Sequence, residues 1–497
     1  MRLVTLTAAL LAAGLAAPAL AAPDAALLEK LVARLDKLEA RNAELEREVK
    51  SLKAENEKVA QGLDSDRISQ YEPEITARLK AVEKDALDMK KAAKKIDALD
   101  GLKVGAALTT VAQTYRSEPK GSRFSRSALN YRADVTAELP LEPIGDIDQK
   151  LFAHFRMGQG EGLNHPLGNF GQFSAPNAVA FRASGLEPDT SVAVLGEAWY
   201  QAAIPLPFGG FKPHSRETLE LSFGKMDFFG FFDQNAEAGD ESSQYLNSLF
   251  VHNPLLDAGG EASFDANGFQ PGFVASYVNS TDKSRPWRLS LGIFGAGDHG
   301  ANYQHSLSSP LVIAQAEKQL RLFGGLAGHY RAYVWSRAKS LKLDGETPER
   351  HTGFGFSADQ KVGDGVGLWG RYGKQVKGQL PFDQGLSLGA NFHGGYWGRG
   401  GDTLGIAGSW LKASREYKRA VAEGDITRCF AVDDDGLCTD DRSFSAQGAE
   451  KVAEIYYRYR LSPQFALTPD FQWISRPGAN PDARSVKILG LRANLAF

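Results

Sequence analysis

The chain has 497 residues, and 57 Lys and Arg stand against 60 Asp and Glu, a formal net charge of -3. That balance lacks the basic excess of a nucleic-acid-binding protein, so no nucleic-acid partner is expected. Beyond the N-terminus no run of roughly 18 apolar residues occurs, which argues against helical membrane spans, while a mean hydropathy of -0.30 still suits a β-barrel, whose apolar residues occupy every second position.

Residues 1–21 read as a secretory signal. Arg2 is a short positive region, residues 3–17 are apolar, and Ala19-Leu20-Ala21 is an A-x-A cleavage site. No Cys follows Ala21 to carry a lipid, and an exported protein is expected. Residues 22–60 hold a coiled-coil segment. With Leu28 at position a, the a residues are Leu28, Leu35, Asn42, Val49 and Asn56, and the d residues are Leu31, Leu38, Leu45, Leu52 and Val59. This period of 3.5 predicts a left-handed parallel coiled coil. The interchain pairs Arg34–Glu39, Arg41–Glu46 and Glu48–Lys53 would all attract, and Asn42 and Asn56 would fix the register. Residues 61–101 form a charged helical linker, broken at Glu72-Pro73. Its basic run, Lys90, Lys91, Lys94 and Lys95, suits a solvated face as well as contact with anionic lipid or peptidoglycan.

From Leu102 the helical period ends, and stretches of about ten residues alternate between turn signals. Strands are expected at 102–115, 126–139, 148–157, 194–204, 217–226, 268–279, 286–295, 311–322, 326–338, 352–360, 365–375, 384–394, 403–412, 450–461, 465–475 and 485–497. The weakest is 311–322, where Lys318 falls on the apolar face. An even set of this kind predicts an all-β transmembrane barrel of 16 antiparallel strands over residues 102–497, preceded by the N-terminal α-helical coiled coil. In the last strand Leu489, Leu491, Ala493, Leu495 and Phe497 share one side, and Gly490, Arg492 and Asn494 share the other. Arg331, Arg337, Arg371, Arg458 and Arg492 recur opposite the lipid-like face. A dry sandwich core would charge a heavy desolvation cost for them; a water-filled lumen would not. Long connections (158–193, 227–267, 296–310, 413–449) alternate with short ones (280–285, 323–325, 462–464), as outer loops and periplasmic turns do. Cys429 and Cys438, the two cysteines, lie in one long loop and are expected to form a disulfide in an oxidising compartment.

Two segments resemble the carbohydrate-selective outer-membrane porin family. Residues 224–248, GKMDFFGFFDQNAEAGDESSQYLNS, resemble its Gly-Lys strand end, Phe-Asp-x-Asn element and Asp-Glu-x-x-Gln-x-x-Asn run. Residues 449–497 are similar to its closing hairpin, with Pro-Asp-x-Gln and Pro-Gly-x-Asn elements. The coiled coil lies outside that core and resembles the helical extensions of some phosphate-type and cyanobacterial porins. The resemblance implies that the third outer loop folds into the barrel and narrows it, placing Asp233, Asn235, Asp240, Glu241, Gln244 and Asn247 at a constriction. Asp233, Asn235 and Asn247 are equally suited to capping turns inside that loop. The strands add lumen candidates for solute contact: Arg132, Arg156, Glu197, Trp199, Glu220, Arg331, Trp335, Arg371, Glu454, Arg458, Asp470, Gln472 and Arg492. Acids, guanidinium groups and aromatic faces together suit a neutral polyol, whereas a selective anion pore would show a one-sided Lys/Arg ladder.

The expected function is passive diffusion of small hydrophilic solutes, sugars first, across the cell outer membrane, with the coiled coil in the periplasm. An anion, phosphate or general porin remains open. So does an envelope tether, in which residues 27–60 would reach about 50 Å toward peptidoglycan. The family implies a homotrimer in outer-membrane lipid, while the a/d set alone fits a dimer as well. No enzyme is expected: the nine histidines form no Ser/His/Asp or metal-spaced cluster. No cofactor and no metal site are expected, and Asp433, Asp434, Asp435, Asp440 and Asp441, which lack EF-hand spacing, read as a solvated loop with cation binding left open.

Overall fold

The computed structural model describes scattered helical residues between 40 and 54, residue 84, and the stretches 101–116, 126–169, 171–181, 190–206, 215–256, 269–295, 309–429 and 438–497. The signal segment, most heptad positions, the linker features and Asp433, Asp434 and Asp435 lie outside the described residues. The chain divides into two units, Met1–Ala98 and Leu99–Phe497. In the first, the described residues from 40 to 54 are helical. Arg41 pairs with Glu44 one turn on, at 2.8 Å, and Val49, an a position, is exposed.

In the second unit, sixteen antiparallel strands close into a barrel. They are β1 (Lys103–Arg116), β2 (Ser127–Ile144), β3 (Ile147–Gln159), β4 (Val192–Pro205), β5 (Glu217–Met226), β6 (Gln270–Asn279), β7 (Trp287–Phe294) and β8 (Leu311–Leu322). Then follow β9 (Leu326–Leu341), β10 (Pro348–Gly363), β11 (Val366–Lys377), β12 (Phe382–His393), β13 (Thr403–Ala413), β16 (Ala449–Arg460), β17 (Phe465–Ser475) and β18 (Val486–Ala496). A separate two-residue pair, β14 (Arg428–Cys429) and β15 (Asp441–Arg442), lies in the loop after β13. Short helices α1 (Asn164–Asn169), α2 (Ser248–Val251) and α3 (Arg415–Glu423) sit in connections. The seam joins β1 to β18 from Ala107↔Ala496 to Arg116↔Lys487. It is finished by reciprocal bonds between Ala106 and Phe497, 2.8 and 3.3 Å long.

All sixteen expected strands are present. Several run longer than their alternation suggests, as in β9 and β10, because backbone pairing with a neighbour continues where the strand ends leave the lipid and lose their apolar face. Alternation also assigns the faces. Leu289, Leu291, Val334, Phe356, Leu489 and Leu491 are exposed on the outside, while Arg331, Arg371, Arg492 and Asn494 are buried on the inside. Lys318 does lie on the outer face, next to the short turn 323–325. Its cross-strand neighbours are Trp287 and Tyr330, so its ammonium sits at an aromatic rank where a long side chain can reach the polar interface.

One rim carries short turns, such as 145–146, 323–325, 364–365 and 461–464, and the other carries the connections 160–191, 227–269 and 414–448. In the last of these Cys429 and Cys438 are joined, with Cα atoms 5.7 Å apart. Asp440 accepts from Arg442 Nε at 2.9 Å. Among the described residues, Cys429, Cys438 and Asp441 form the one grouping spaced for a metal, and its sulfurs are bonded to each other.

The 394–402 turn shows how the short rim is fixed. Asp402 accepts from Arg399 Nε, from Tyr457 Oη at 2.6 Å and from the Arg460 N–H at 2.9 Å. Burial opposes ionisation, but these donors prevail and hold the Asp402 carboxyl at about 2. A depressed folded-state pKa stabilises above the unfolded value, near 3.9, and the benefit disappears as pH falls toward 2. Asp402→Asn is therefore expected to lower stability at pH 7 by about 1–3 kcal/mol. Thermal unfolding in detergent should show this difference shrinking between pH 4 and pH 2.

Candidate functional site

Residues 227–256, which follow β5, turn inward. Asp227 accepts the Phe229 N–H at 2.9 Å and starts a 3-10 turn, Phe228–Gly230. Phe228 and Phe232 then pack on Phe294, with ring centroids 5.0 and 5.8 Å away. This apolar start drives the loop against the wall, and polar groups of the wall then hold it. Asp233 and Arg371 form a fully buried pair at 3.0 Å. Asp233 also accepts from Tyr333 Oη at 2.7 Å and from the Asn253 N–H at 2.6 Å. Its φ of 55° is a left-handed conformation that Asp tolerates better than most residues. Arg371 donates onward to the carbonyls of Ala238 and Phe250, each at 2.6 Å.

Further along, Glu454 accepts the N–H groups of Leu246 and Asn247 at 2.6 and 2.9 Å. Arg492 donates to the carbonyls of Glu241 and Gln244, each at 2.6 Å. Asn247 caps α2 through the Leu249 N–H and donates to Gln472 at 3.0 Å. Close approach needs bare backbone on the wall. A Cβ at Gly367 would lie 2.1 Å from the Glu237 carboxyl carbon, and one at Gly373 would lie 2.4 Å from Asn253 Oδ1. The loop and wall together enclose an aromatic cluster of Tyr245, Phe250, Trp369 and Tyr456. The 160–191 loop is held in the same way: buried Glu450 accepts the N–H groups of Phe173, Ser174 and Gly478 at 2.7–2.9 Å.

The loops and the wall leave a cavity of about 730 Å³. Arg132, Arg156 and Arg331 border it from the wall, and Asp227, Glu241 and His252 from the loop. Arg132 pairs with Asp134 at 2.8 Å and with Glu241 at 2.7 Å. Arg156 pairs with Asp134 at 2.7 Å, and Arg331 pairs with Asp359 at 3.0 Å and Glu317 at 3.2 Å. His154 bridges Asp134 and Glu197, and His329 contacts Asp359. The rings of Phe229 and His252 stack in parallel at 3.6 Å. Each of these guanidinium groups thus faces at least one carboxylate, and Arg156 also lies over the rings of Phe181 and Phe269, an arrangement suited to hydroxyl groups that donate and accept at once.

The expected site residues separate into groups. Arg132, Arg156, Asp233, Asn235, Glu241, Arg331 and Arg371 border the cavity. Asn235 also donates to Ser357 and Ala358 and accepts the Glu237 N–H, while Asp240 and Gln244 bond within their own loop turn. Glu454, Gln472 and Arg492 direct their bonds to loop groups, and buried Asp470 accepts from Gln472. This differs from an open solute-contacting wall, because the loop covers that side of the lumen. Trp335 is buried within the main apolar cluster. Trp199 stacks on Phe152 and donates to Glu197 at 3.0 Å, Glu220 pairs with Arg288 at 2.7 Å, and Arg458 is half-buried on β16. Sequence reasoning missed Asp134, Asp227, Phe229, His252, His329 and Asp359. Asp134 was findable, since it follows Arg132 by two positions and shares its face. His252 needed the path of the loop.

The model of the carbohydrate-selective porin family, OprB, matches residues 128–497, and the chain belongs to that family. Porin AaxA of Chlamydia pneumoniae is 24% identical over 170 residues, covering 34% of this chain and 33% of its own length. Porin AaxA of Chlamydia felis is 25% identical over 169 residues, covering 34% and 32%. The match thus spans about a third of these curated relatives. The high-pH structure of Pseudomonas putida OprB shares the fold, with a TM-score of 0.61 at 17% identity over 82% of this chain and 97% of that chain. Membership of a porin family and the closed sixteen-stranded barrel give this protein the family and fold of an outer-membrane channel.

Removing one partner of a buried ion pair strands the other, at a cost of about 3–5 kcal/mol. Arg371→Ala is therefore expected to free the inward loop and raise single-channel conductance, with noisier open levels in planar bilayers. An unchanged trace would mean that the loop does not depend on Asp233–Arg371. Charge at the cavity is tested separately by reversal potentials in a KCl gradient. Arg132→Gln should move selectivity toward cations and Glu241→Gln toward anions.

Proposed function

We propose that this outer-membrane channel passes small hydrophilic solutes by passive diffusion and favours neutral sugars. One observation carries the reading: the cavity beside the inward loop is bordered by arginines that each meet carboxylates, next to the Phe229–His252 stack. Paired charges offer hydrogen bonds without a large net field, which favours polyols over ions. The family's carbohydrate selectivity supports the same class. The short-turn rim faces the periplasm and the long-loop rim faces outward, as is general for such barrels.

Residues 1–21 direct export, and residues 22–60 join copies through a periplasmic parallel coiled coil, three copies being the stoichiometry we favour. The linker 61–101 lies between coil and barrel, where its Lys-rich run can touch peptidoglycan. That contact is secondary to permeation. Asp233, Asn235, Asp240, Glu241, Gln244 and Asn247 shape the constriction, with Glu241, Arg132, Arg156 and Arg331 nearest the solute. Glu197, Trp199, Glu220 and Arg458 set the polarity of the vestibules, while Arg371, Glu454, Gln472 and Arg492 hold the loop and Asp470 holds Gln472.

Liposome swelling with hexoses, amino acids and phosphate at equal osmolarity tests the preference. Hexoses are expected to enter fastest, and millimolar glucose-like sugar should reduce the bilayer current. Fastest entry of phosphate with strong anion selectivity would instead establish an anion pore, and equal entry of all size-matched solutes a general one.

A further inference from the structure

The outer wall between β7 and β10 is not uniformly ridged. Adjacent strands align Leu289, Ala316, Ala332 and Phe356 in one cross-strand rank, and Leu291, Ala314, Val334 and Phe354 in the next. Leu289 and Phe356 stand out from the wall and are about half exposed, while the alanines between them leave a groove of about 450 Å³. Strand spacing of about 4.8 Å puts the two ridges roughly 14 Å apart, room for two acyl chains side by side. From Ala316 to Lys318 the groove runs about 7 Å along β8. With strands tilted about 40° that is roughly 5 Å of a leaflet about 15 Å deep, enough to seat the upper part of the acyl chains.

Its short-rim end is closed by Trp287, Lys318 and Tyr330, which form the next rank. The neighbouring 280–286 turn adds exposed Lys283 and Arg285 against one carboxylate, Asp282. Asp282 is already bonded to the N–H and hydroxyl of Ser284. An apolar slot in the polar-end part of the leaflet thus ends in a cationic group at aromatic-belt level, where lipid phosphates lie.

We propose that this groove binds one anionic phospholipid of the periplasmic leaflet, its acyl chains over Ala316 and Ala332 and its phosphate on Lys318. The site is independent of the lumen, because each of these three side chains faces outward.

Native mass spectrometry of the delipidated full chain in detergent tests the proposal, with phosphatidylglycerol and phosphatidylcholine of matched acyl chains as probes. One saturable phosphatidylglycerol per barrel is expected, bound in preference to phosphatidylcholine. Lys318→Gln should weaken phosphatidylglycerol binding about fivefold and remove the preference. Ala332→Leu, which fills the slot, should weaken both lipids. Single-channel conductance of both variants should match the unaltered protein, showing that the barrel is intact. Equal binding of the two lipids, unsaturable binding, or binding insensitive to both substitutions would overturn the proposal. So would efficient crosslinking of an Ala316→Cys variant to a second copy, which would put protein over the groove.

Discussion

Hydrocarbon supplies no hydrogen-bond partner for a peptide group, and this single constraint orders the molecule. Sixteen strands satisfy one another only if the last meets the first, which the β1–β18 register achieves along its length. Closure at this strand number makes the cylinder wider than its own side chains can fill. The chain therefore has an interior that must be occupied by water, by loops, or by both.

Residues 227–256 divide that interior. On one side lies a dry aromatic cluster of the kind that stabilises soluble domains, with Tyr245, Trp369 and Tyr456 in edge-to-face contact. On the other lies the polar cavity, where charge is plentiful and paired. The two sides are complementary: Arg371 and Asp233 belong to the packing and also border the cavity. The width of the passage is therefore a property of loop packing as much as of barrel size, and solute preference rests on a balance of charge between wall and loop.

Most of the barrel was legible in the sequence because its code is local. Period-two alternation in β18, or the opposition of Val334 to Trp335 in β9, can be read without any partner strand. The site was legible only where locality extended to it. Arg132 and Glu241 could each be selected as polar groups in suitable segments, but their meeting depends on a loop more than a hundred residues away. Glu454 and Arg492 read as lumen residues, and they are on the lumen side. That they grip a loop instead of standing in water follows from tertiary packing, which no strand pattern records. Lys318 broke the alternation rule locally, yet its position beside Trp287 and Tyr330 accounts for it.

Many of the contacts that seat the inward loop are made to its main chain, beside side-chain anchors such as Asp233 and Asn247. Arg371 and Arg492 grip carbonyl oxygens, while Glu454 grips amide hydrogens. A scaffold fastened to atoms that every residue possesses is indifferent to most side-chain replacements along the segment it holds. The loop's cavity-facing positions are thereby free to drift over generations, so that related bacteria could retune what enters the cell without first reinventing the frame that admits it.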